Sequence, residues 1–262
     1  MAKTISPRAL HEALAGFFVS ENGVTAVPYG CGHINATFLV TDSAGHRYIL
    51  QCINEGIFPD VKGLMENIGA VLAHLKTKSR DPRHSMTLVP ALDKETYFRT
   101  TEGAWRLYDF VEGSLCLQSP RTPRDFFESA RAFGMFREEL ADFDAARLTE
   151  VLPDFHNTPR RYAAFHEAIR ADSLHRAGEV GREIEFFLER EEEMATLQKM
   201  RESGELPLCV THNDTKLNNV LLDEKSGDAL CVIDLDTVMP GLCAYDFGDS
   251  IRFGAATAAE DE

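Results

Sequence analysis

Four polar residues in the last quarter of the sequence have types and spacing that suit phosphoryl transfer. Asp214 is followed by Lys216 and Asn219, and Asp234 ends the next apolar run. Phosphoryl transfer requires a carboxylate that accepts the proton of the acceptor hydroxyl, oxygen ligands for Mg²⁺, and positive charge near the moving group. All three requirements are met within residues 212–234.

Two apolar runs, residues 220–222 and 229–233, predict a β-hairpin because the segment between them is rich in Asp, Ser and Gly. Folding the chain about Ser226-Gly227 would place Asn219 opposite Asp234. Cross-strand neighbours lie roughly 4.5–5.5 Å apart, so one amide oxygen and one carboxylate would share a cation such as Mg²⁺. The alternative is that both residues are simply turn formers at strand ends.

The other polar residues of this segment are candidates for the reaction itself. Asp214 lies on the loop that enters the hairpin, where a base should face the acceptor, and Lys216 would neutralise the transferred phosphoryl group. His212 is a third candidate catalytic residue, although a single histidine in such a place is more often a buried orienting residue.

Residues 212–219 match the pattern H-x-D-x-x-x-x-N of the protein-kinase-like superfamily. The sequence of this segment resembles the aminoglycoside phosphotransferase and choline kinase branch, which phosphorylates small molecules. Within it, His-Asn-Asp-Thr-Lys-Leu-Asn-Asn and Ile-Asp-Leu-Asp-Thr-Val-Met-Pro-Gly resemble the N-acetylhexosamine 1-kinases. The resemblance implies Asp214 as catalytic base, Asn219 and Asp234 as magnesium ligands, and an auxiliary role for Asp236.

The same resemblance implies ATP and Mg²⁺ as cofactors and an N-acetylhexosamine as the small-molecule partner, phosphorylated on its anomeric hydroxyl. Amino-alcohol, homoserine or aminoglycoside acceptors remain alternatives within the class. A non-catalytic nucleotide-binding module is the competing class. Asp246-Phe247-Gly248 matches a metal-binding triplet of protein kinases, but Asp234, earlier in the chain, already has the role of metal ligand after the hairpin. We therefore interpret Asp246 as a brace of the catalytic loop or a helix cap.

The first half of the chain predicts a small sheet with a glycine-containing loop at residues 29–35. Gly30 and Gly32 would let the backbone approach phosphates. His33 and Asn35 would hydrogen-bond phosphate or acceptor, or else stabilise the loop. A strand rather than a helix follows the glycines, which excludes a Rossmann site and favours a hairpin that covers the triphosphate.

Residue 51 departs from the family pattern. Kinases place a strand Lys there, paired with a helix Glu, and this chain has Gln51, whose amide can donate to phosphate but carries no charge. The helix predicted at 59–76 offers Glu66 as the partner, although Glu66 would also suit a surface pair with Lys62. Either ATP is positioned differently or nucleotide binding is weak, and the intact catalytic loop favours the former.

The run 105–113 is predicted to contain the last strand of the small lobe, and the resemblance makes it the hinge that binds adenine. Asp109 and Val111 would line the adenine slot, mainly through their main-chain groups. The predicted fold class is therefore α+β, a bilobal protein-kinase-like fold with an antiparallel-sheet N-lobe at 1–113 and a mainly helical C-lobe at 114–262.

The C-lobe is predicted to contain a long helix at 122–142, capped by Thr122, and an acidic helix at 180–200. Relatives in this branch continue with further helices that wall the acceptor pocket. We therefore expect the C-terminal helices to be missing from this sequence and its acceptor binding to be poor.

The net charge of −15 and the lack of a basic stripe argue against a nucleic-acid partner. No stretch approaches the roughly 18 apolar residues of a membrane span, and the N-terminus lacks the apolar segment of a signal peptide. We therefore expect a cytoplasmic protein whose six cysteines are reduced. The sequence leaves its oligomeric state open.

Overall fold

A computed structural model describes residues 4–18, 22–30 and 34–256. Its N-terminal part is one antiparallel sheet with two helices. The strands are β1 (Thr25–Pro28), β2 (Ala36–Thr41), β3 (Arg47–Cys52), β4 (Leu88–Val89), β5 (Phe98–Thr100) and β6 (Gly103–Asp109). They are ordered β1-β2-β3-β6-β4, with β5 also paired to β6. The helices are α1 (Pro7–Phe17) and α2 (Val61–Leu75).

The two faces of this sheet have different neighbours because side chains alternate along each strand. Leu50 of β3 and Leu107 of β6 belong to the core cluster that contains α1. Ala104 and Tyr108 of β6 belong to the cluster that contains α2. Arg106, which lies between them in the strand, therefore points to the α2 side.

The C-terminal part is mainly helical. Its helices are α3 (Pro123–Glu139), α4 (Thr158–Ala171), α5 (Gly181–Leu188), α6 (Glu191–Met194), α7 (Thr196–Glu202) and α8 (Cys243–Ala255). Its strands are β7 (Ser114–Cys116), β8 (Cys209–Thr211), β9 (Val220–Asp223), β10 (Ala229–Val232) and β11 (Met239–Gly241). β9 pairs with both β10 and β7, and β8 pairs with β11. The predicted α+β class with a small antiparallel sheet and a helical part is confirmed.

Local sequence explains where the long helix α3 begins. The Thr122 side chain accepts from the Asp125 backbone N–H, and the Asp125 carboxylate accepts from the Thr122 N–H. This reciprocal capping box satisfies two of the donors that a helix start leaves open, and Pro123 fits the first turn because it has no N–H to lose. The predicted start at Thr122 is confirmed, whereas the helix ends at Glu139, three residues early.

The predicted acidic helix at 180–200 is wrong as a single element, since α5, α6 and α7 replace it. Glu185, Glu189 and Glu193 follow one another at i, i+4 spacing. Like charges at this spacing destabilise a helix, and none of the three short helices has a side-chain cap at its start. The segment 180–200 has helical propensity but little buried surface to hold one continuous helix, so it forms three short helices.

One apolar core joins the two parts of the chain. Ile68 and Leu72 of α2 share a cluster of buried residues with Phe136 of α3 and with Val220 and Leu222 of β9. The helix beside the N-terminal sheet is thus packed against the segment that carries the catalytic-loop residues.

Across the ranges that the structure describes, no helix is both long enough and apolar enough to traverse a bilayer.

Candidate active site

The catalytic loop, residues 212–219, runs from β8 to β9 and ends in a short 3₁₀ turn at Leu217–Asn219. The Asn219 Nδ2 donates to Asp214 Oδ2 at 2.9 Å and to the Asp214 carbonyl at 2.8 Å. The Lys216 Nζ lies 3.2 Å from Asp214 Oδ1. Three residues selected by spacing therefore meet at one partly exposed carboxylate.

Two carboxylates of α8 hold the backbone of this loop. Asp246 accepts from the N–H groups of His212 at 2.9 Å and Asn213 at 2.7 Å, and Asp249 accepts from the Thr215 N–H at 2.7 Å. Asn213 has a φ of 66°, a left-handed conformation that asparagine tolerates better than most residues. Burial raises the pKa of Asp246. These contacts are those of a brace, as we had interpreted Asp246.

His212 is fully buried, and both of its ring nitrogens contact backbone. Nε2 lies 3.0 Å from the Ile233 carbonyl, and Nδ1 lies 3.3 Å from the Asp214 amide nitrogen. The edges of Phe133 and Phe136 approach the ring to centroid distances of 5.2 and 5.8 Å. We therefore correct the assignment of His212 as a catalytic residue: it orients the loop, because no nitrogen is left to face an acceptor.

The hairpin register differs from the prediction by one residue. Val220 pairs with Val232, and the Ile233 N–H donates to the Asn219 carbonyl at 2.9 Å. Asn219 is thus opposite Ile233 rather than Asp234. The Asp223 N–H donates to the Asp228 carbonyl at 2.8 Å, so the turn is centred on Lys225-Ser226, one residue earlier than predicted, and the register shift between Ala229 and Cys231 only partly offsets this difference. Such a bulge adds one residue to one strand, and the loop composition alone did not reveal it.

Asp234 directly follows the hairpin and has a φ of 58°. Asp234 is exposed to solvent, although the protein atoms around its carboxyl group still remove part of its hydration. This desolvation raises its pKa, and the neighbouring Asp236 raises it further, while Arg106 and Lys216 act in the opposite direction. Asp214 also contributes to the shift, so the two carboxylates that the sequence placed in one site lie within electrostatic reach of each other.

Asp236 is buried and held from the N-terminal part of the chain. Its Oδ1 lies 2.5 Å from Arg106 Nη1, an ion pair bent away from hydrogen-bond geometry, and its Oδ2 accepts from Asn35 Nδ2 at 2.6 Å. The Asn35 Oδ1 in turn accepts from the Asn54 N–H at 3.0 Å. We therefore correct two assignments, since the Asp236 carboxylate and the Asn35 amide are committed to protein partners rather than turned to a metal or a phosphate.

Gln51 lies opposite Arg106 in the β3–β6 pairing. Its Oε1 accepts from Arg106 Nε at 3.0 Å and Nη2 at 2.8 Å, and its Nε2 donates to Thr37 Oγ1 at 3.1 Å. The amide that we expected to donate to phosphate is therefore bound on both sides. The guanidinium is only 1% exposed. Burial on its own would lower the pKa of Arg106, but Asp236, Tyr108 and Asp234 together outweigh this effect and raise the pKa.

Glu66 is not the buried partner of a strand cation. Its side chain is 64% exposed and lies 3.7 Å from Lys62, so the surface pair left open as the alternative is what the structure contains. Sequence reasoning missed Arg106. The available signal was a single charged residue inside the apolar strand Ala104-Trp105-Arg106-Leu107-Tyr108, which requires a buried partner.

The predicted hinge follows β6. The Asp109 N–H donates to the Thr87 carbonyl at 2.9 Å, and the Val111 carbonyl accepts from Ser114 Oγ at 2.6 Å. Their role in holding adenine stays a prediction. Gly30 has a φ of 77°, and open space surrounds the position of an added Cβ. Gly32 and His33 lie outside the described residues.

The residues at the end of the hairpin offer oxygen donors of the kind that a divalent cation such as Mg²⁺ prefers. Asn219 uses its Nδ2 towards Asp214, which leaves its carbonyl oxygen as a hard donor, and Asp234 offers a carboxylate. Mg²⁺ is commonly bound through one or two protein oxygens plus water and substrate phosphates. In the described ranges, no group of three or more His, Cys, Asp or Glu side chains could hold a metal ion, so nucleotide oxygens would have to complete this site.

Comparisons with known proteins identify a family and a shared fold. A family described as "Phosphotransferase enzyme family" (APH) matches residues 25–262. A microcompartment-associated aminopropanol kinase is similar over 95% of this chain and 75% of its own, at 21% identity and a TM-score of 0.60. An amicoumacin kinase in complex with AMP-PNP, Ca²⁺ and Ami is similar over 97% of this chain and 71% of its own, at 15% identity and a TM-score of 0.63.

A third solved structure, an aminoglycoside phosphotransferase from Alicyclobacillus acidocaldarius, is similar over 96% of this chain and 73% of its own. Its identity is 15% and its TM-score 0.61. At these identities the three likenesses support the fold, while the family match reaches over most of the chain.

Proposed function

This chain belongs to the phosphotransferase enzyme family (APH), and from that premise we propose that it is an ATP-dependent kinase of a small molecule with a hydroxyl group. The convergence of Asn219 and Lys216 on the Asp214 carboxylate is the observation that supports this most. A partly exposed carboxylate with one face fixed by an amide and a cation beside it matches what the acceptor side of phosphoryl transfer needs.

In this proposal Asp214 accepts the proton of the acceptor hydroxyl. Asn219 fixes the direction of that carboxylate, and its carbonyl oxygen would hold Mg²⁺ together with Asp234. Lys216 places a positive charge next to the point where the phosphoryl group moves. The bound Mg²⁺-ATP supplies the phosphoryl group and neutralises its charge.

The proposed acceptor is the anomeric hydroxyl of an N-acetylhexosamine, which would yield the sugar 1-phosphate. Two sequence phrases support it, the catalytic-loop wording at 212–219 and Ile-Asp-Leu-Asp-Thr-Val-Met-Pro-Gly at 233–241. The aminopropanol, amicoumacin and aminoglycoside kinases of similar fold make amino alcohols and amino-sugar antibiotics the alternatives.

A panel of acceptors with a coupled ADP-release assay tests both levels of the proposal. The panel contains N-acetylglucosamine, N-acetylgalactosamine, 1-amino-2-propanol, ethanolamine, homoserine and kanamycin, and Asp214→Asn provides the blank. We expect acceptor-dependent ADP release by the unaltered protein alone, and a ³¹P NMR signal of an anomeric phosphate with the two sugars.

ADP release with amine acceptors alone would contradict the assignment of a sugar acceptor but would still support a small-molecule kinase. Tight nucleotide binding that needs no Mg²⁺, with no acceptor-dependent release above the Asp214→Asn blank, would contradict the kinase and favour a non-catalytic binding module.

A further inference from the structure

We propose that Arg106 supplies the fixed positive charge for the nucleotide phosphates that residue 51 lacks, and that Gln51 and Asp236 hold it in place. This inference rests on the proposed kinase function and specifies how the nucleotide is held. In this proposal a charged residue of β6 binds the nucleotide phosphates, a role that protein kinases give to a lysine of the neighbouring strand.

The position of Arg106 follows from the register of the sheet. Gln51 and Arg106 are cross-strand partners, and the Gln51 Oε1 accepts from two guanidinium nitrogens at 2.8 and 3.0 Å. The cation is thereby brought to the end of the side chain at residue 51. Protein kinases place their phosphate-binding Lys at this point of the sheet. Here β3 has no charged residue at that point, and Arg106 of the adjacent strand β6 supplies the positive charge.

The carboxylate that pairs with this cation also comes from a different element than in protein kinases. In protein kinases the strand Lys is paired with a helix Glu, but Glu66 of α2 is exposed and lies beside Lys62. The buried acid is Asp236, whose side chain is 5% exposed and lies 2.5 Å from Arg106. It comes from the turn that carries Asp234, so the cation of one lobe is fixed directly to the proposed metal-binding segment of the other.

Stability alone does not account for this arrangement. A buried ion pair gains little net folding free energy, because removing two charges from water costs about as much as their attraction returns. The guanidinium is planar, with five N–H donors in fixed directions. Nε and Nη2 donate to Gln51, and Nη1 forms the ion pair with Asp236. The N–H groups that these two hydrogen bonds leave over are the donors we assign to phosphate oxygens.

A double-mutant cycle separates this role from simple neutralisation of Asp236. ADP and adenosine affinities are measured by isothermal titration calorimetry, with Mg²⁺, for the unaltered protein, Arg106→Gln, Asp236→Asn and the double variant. The double variant leaves no unpaired buried charge, so it keeps the test open if Arg106→Gln alone misfolds. Arg99→Gln is the matched control, because Arg99 is on neighbouring β5, is 54% exposed and pairs with Glu55.

We expect Arg106→Gln to weaken ADP binding about tenfold or more in the Asp236→Asn background as well as in the unaltered one. Adenosine affinity should stay within about twofold, since the lost contact is to phosphate, and Arg99→Gln should change neither.

Equal ADP affinity of Asp236→Asn and the double variant would overturn the inference, and so would an equal loss for ADP and adenosine. Failure of the unaltered protein to bind ADP is a different result, since it would overturn the proposed function and this inference with it.

Discussion

In the catalytic loop, the side chains around Asp214 come from six consecutive residues, whereas the network around Arg106 draws on Asn35, Gln51 and Asp236 from separate segments. The first arrangement brings its groups together within one short loop, whose backbone is held by Asp246 and Asp249 of α8. The second needs the strand register of one lobe and the packing of that lobe against the other. The charged groups around Asp214, on the proposed acceptor side, therefore come from neighbours in the chain. Those around Arg106, on the proposed nucleotide side, are brought together by tertiary contacts.

The largest expected effect separates these two sides. Asp214→Asn should lower kcat by roughly 10²–10⁴-fold, because it removes the group that accepts the proton, while ADP affinity should change little. Steady-state ADP release and calorimetric titration of the same preparation measure both quantities. Asp228→Asn is the control, since Asp228 forms an exposed pair with Arg124. A parallel loss of ADP affinity in Asp214→Asn would mean that the two sides are not separable.

Removal of the brace tests how local the catalytic loop is. Asp246→Ala leaves the buried N–H groups of His212 and Asn213 without their acceptor, which should cost about 1–3 kcal/mol for each. We expect a lower free energy of unfolding in urea titrations and a lower kcat at temperatures where the variant is folded. An unchanged unfolding midpoint would show that the loop keeps its shape without α8.

Moving the charge back to β3 tests the nucleotide side. In the double variant Gln51→Lys with Arg106→Gln, a lysine stem on β3 should restore the kinase arrangement. It should recover most of the ADP affinity lost in Arg106→Gln, about a factor of ten. Calorimetry of the two variants side by side measures this recovery. If the double variant binds ADP no better than Arg106→Gln, the strand on which the charge sits matters more than its presence.

The smallest expected effect comes from the helix that carries the acid in protein kinases. Glu66→Gln should change ADP affinity and kcat less than about twofold, since an exposed pair with Lys62 contributes about 0–1 kcal/mol. Asp236→Asn in the same assays is the buried counterpart. A large loss of ADP affinity in Glu66→Gln would show that α2 turns this side chain inward when nucleotide binds.

The sequence was a good guide where chemistry depends on neighbours in the chain. The spacing of Asp214, Lys216 and Asn219 selected three residues that the structure brings into contact, although the sequence paired Asn219 with Asp234 and not with Asp214. The Thr122 cap predicted the start of α3. Spacing failed where the centre of a turn and a bulge together set the register, so that Asn219 lies opposite Ile233 rather than Asp234.

Long-range pairs were beyond a reading of the sequence. Only the register of β3 and β6 shows that Gln51 supports a cation. Nothing local connects Arg106 with Asp236, 130 positions later, and only the contact between the two lobes brings them together. The burial of Arg106 follows from that contact, because an arginine inside an apolar strand must find its acid elsewhere in the fold.

The two carboxylates of α8 also have a consequence for synthesis. The backbone of residues 212–215 is anchored by side chains at 246 and 249, which leave the ribosome later than the loop itself. A nascent chain arrested before residue 246 would hold every chemically essential group of the acceptor side and still lack the scaffold that shapes them. We therefore expect this loop to take its final shape only after α8 has been synthesised and has docked.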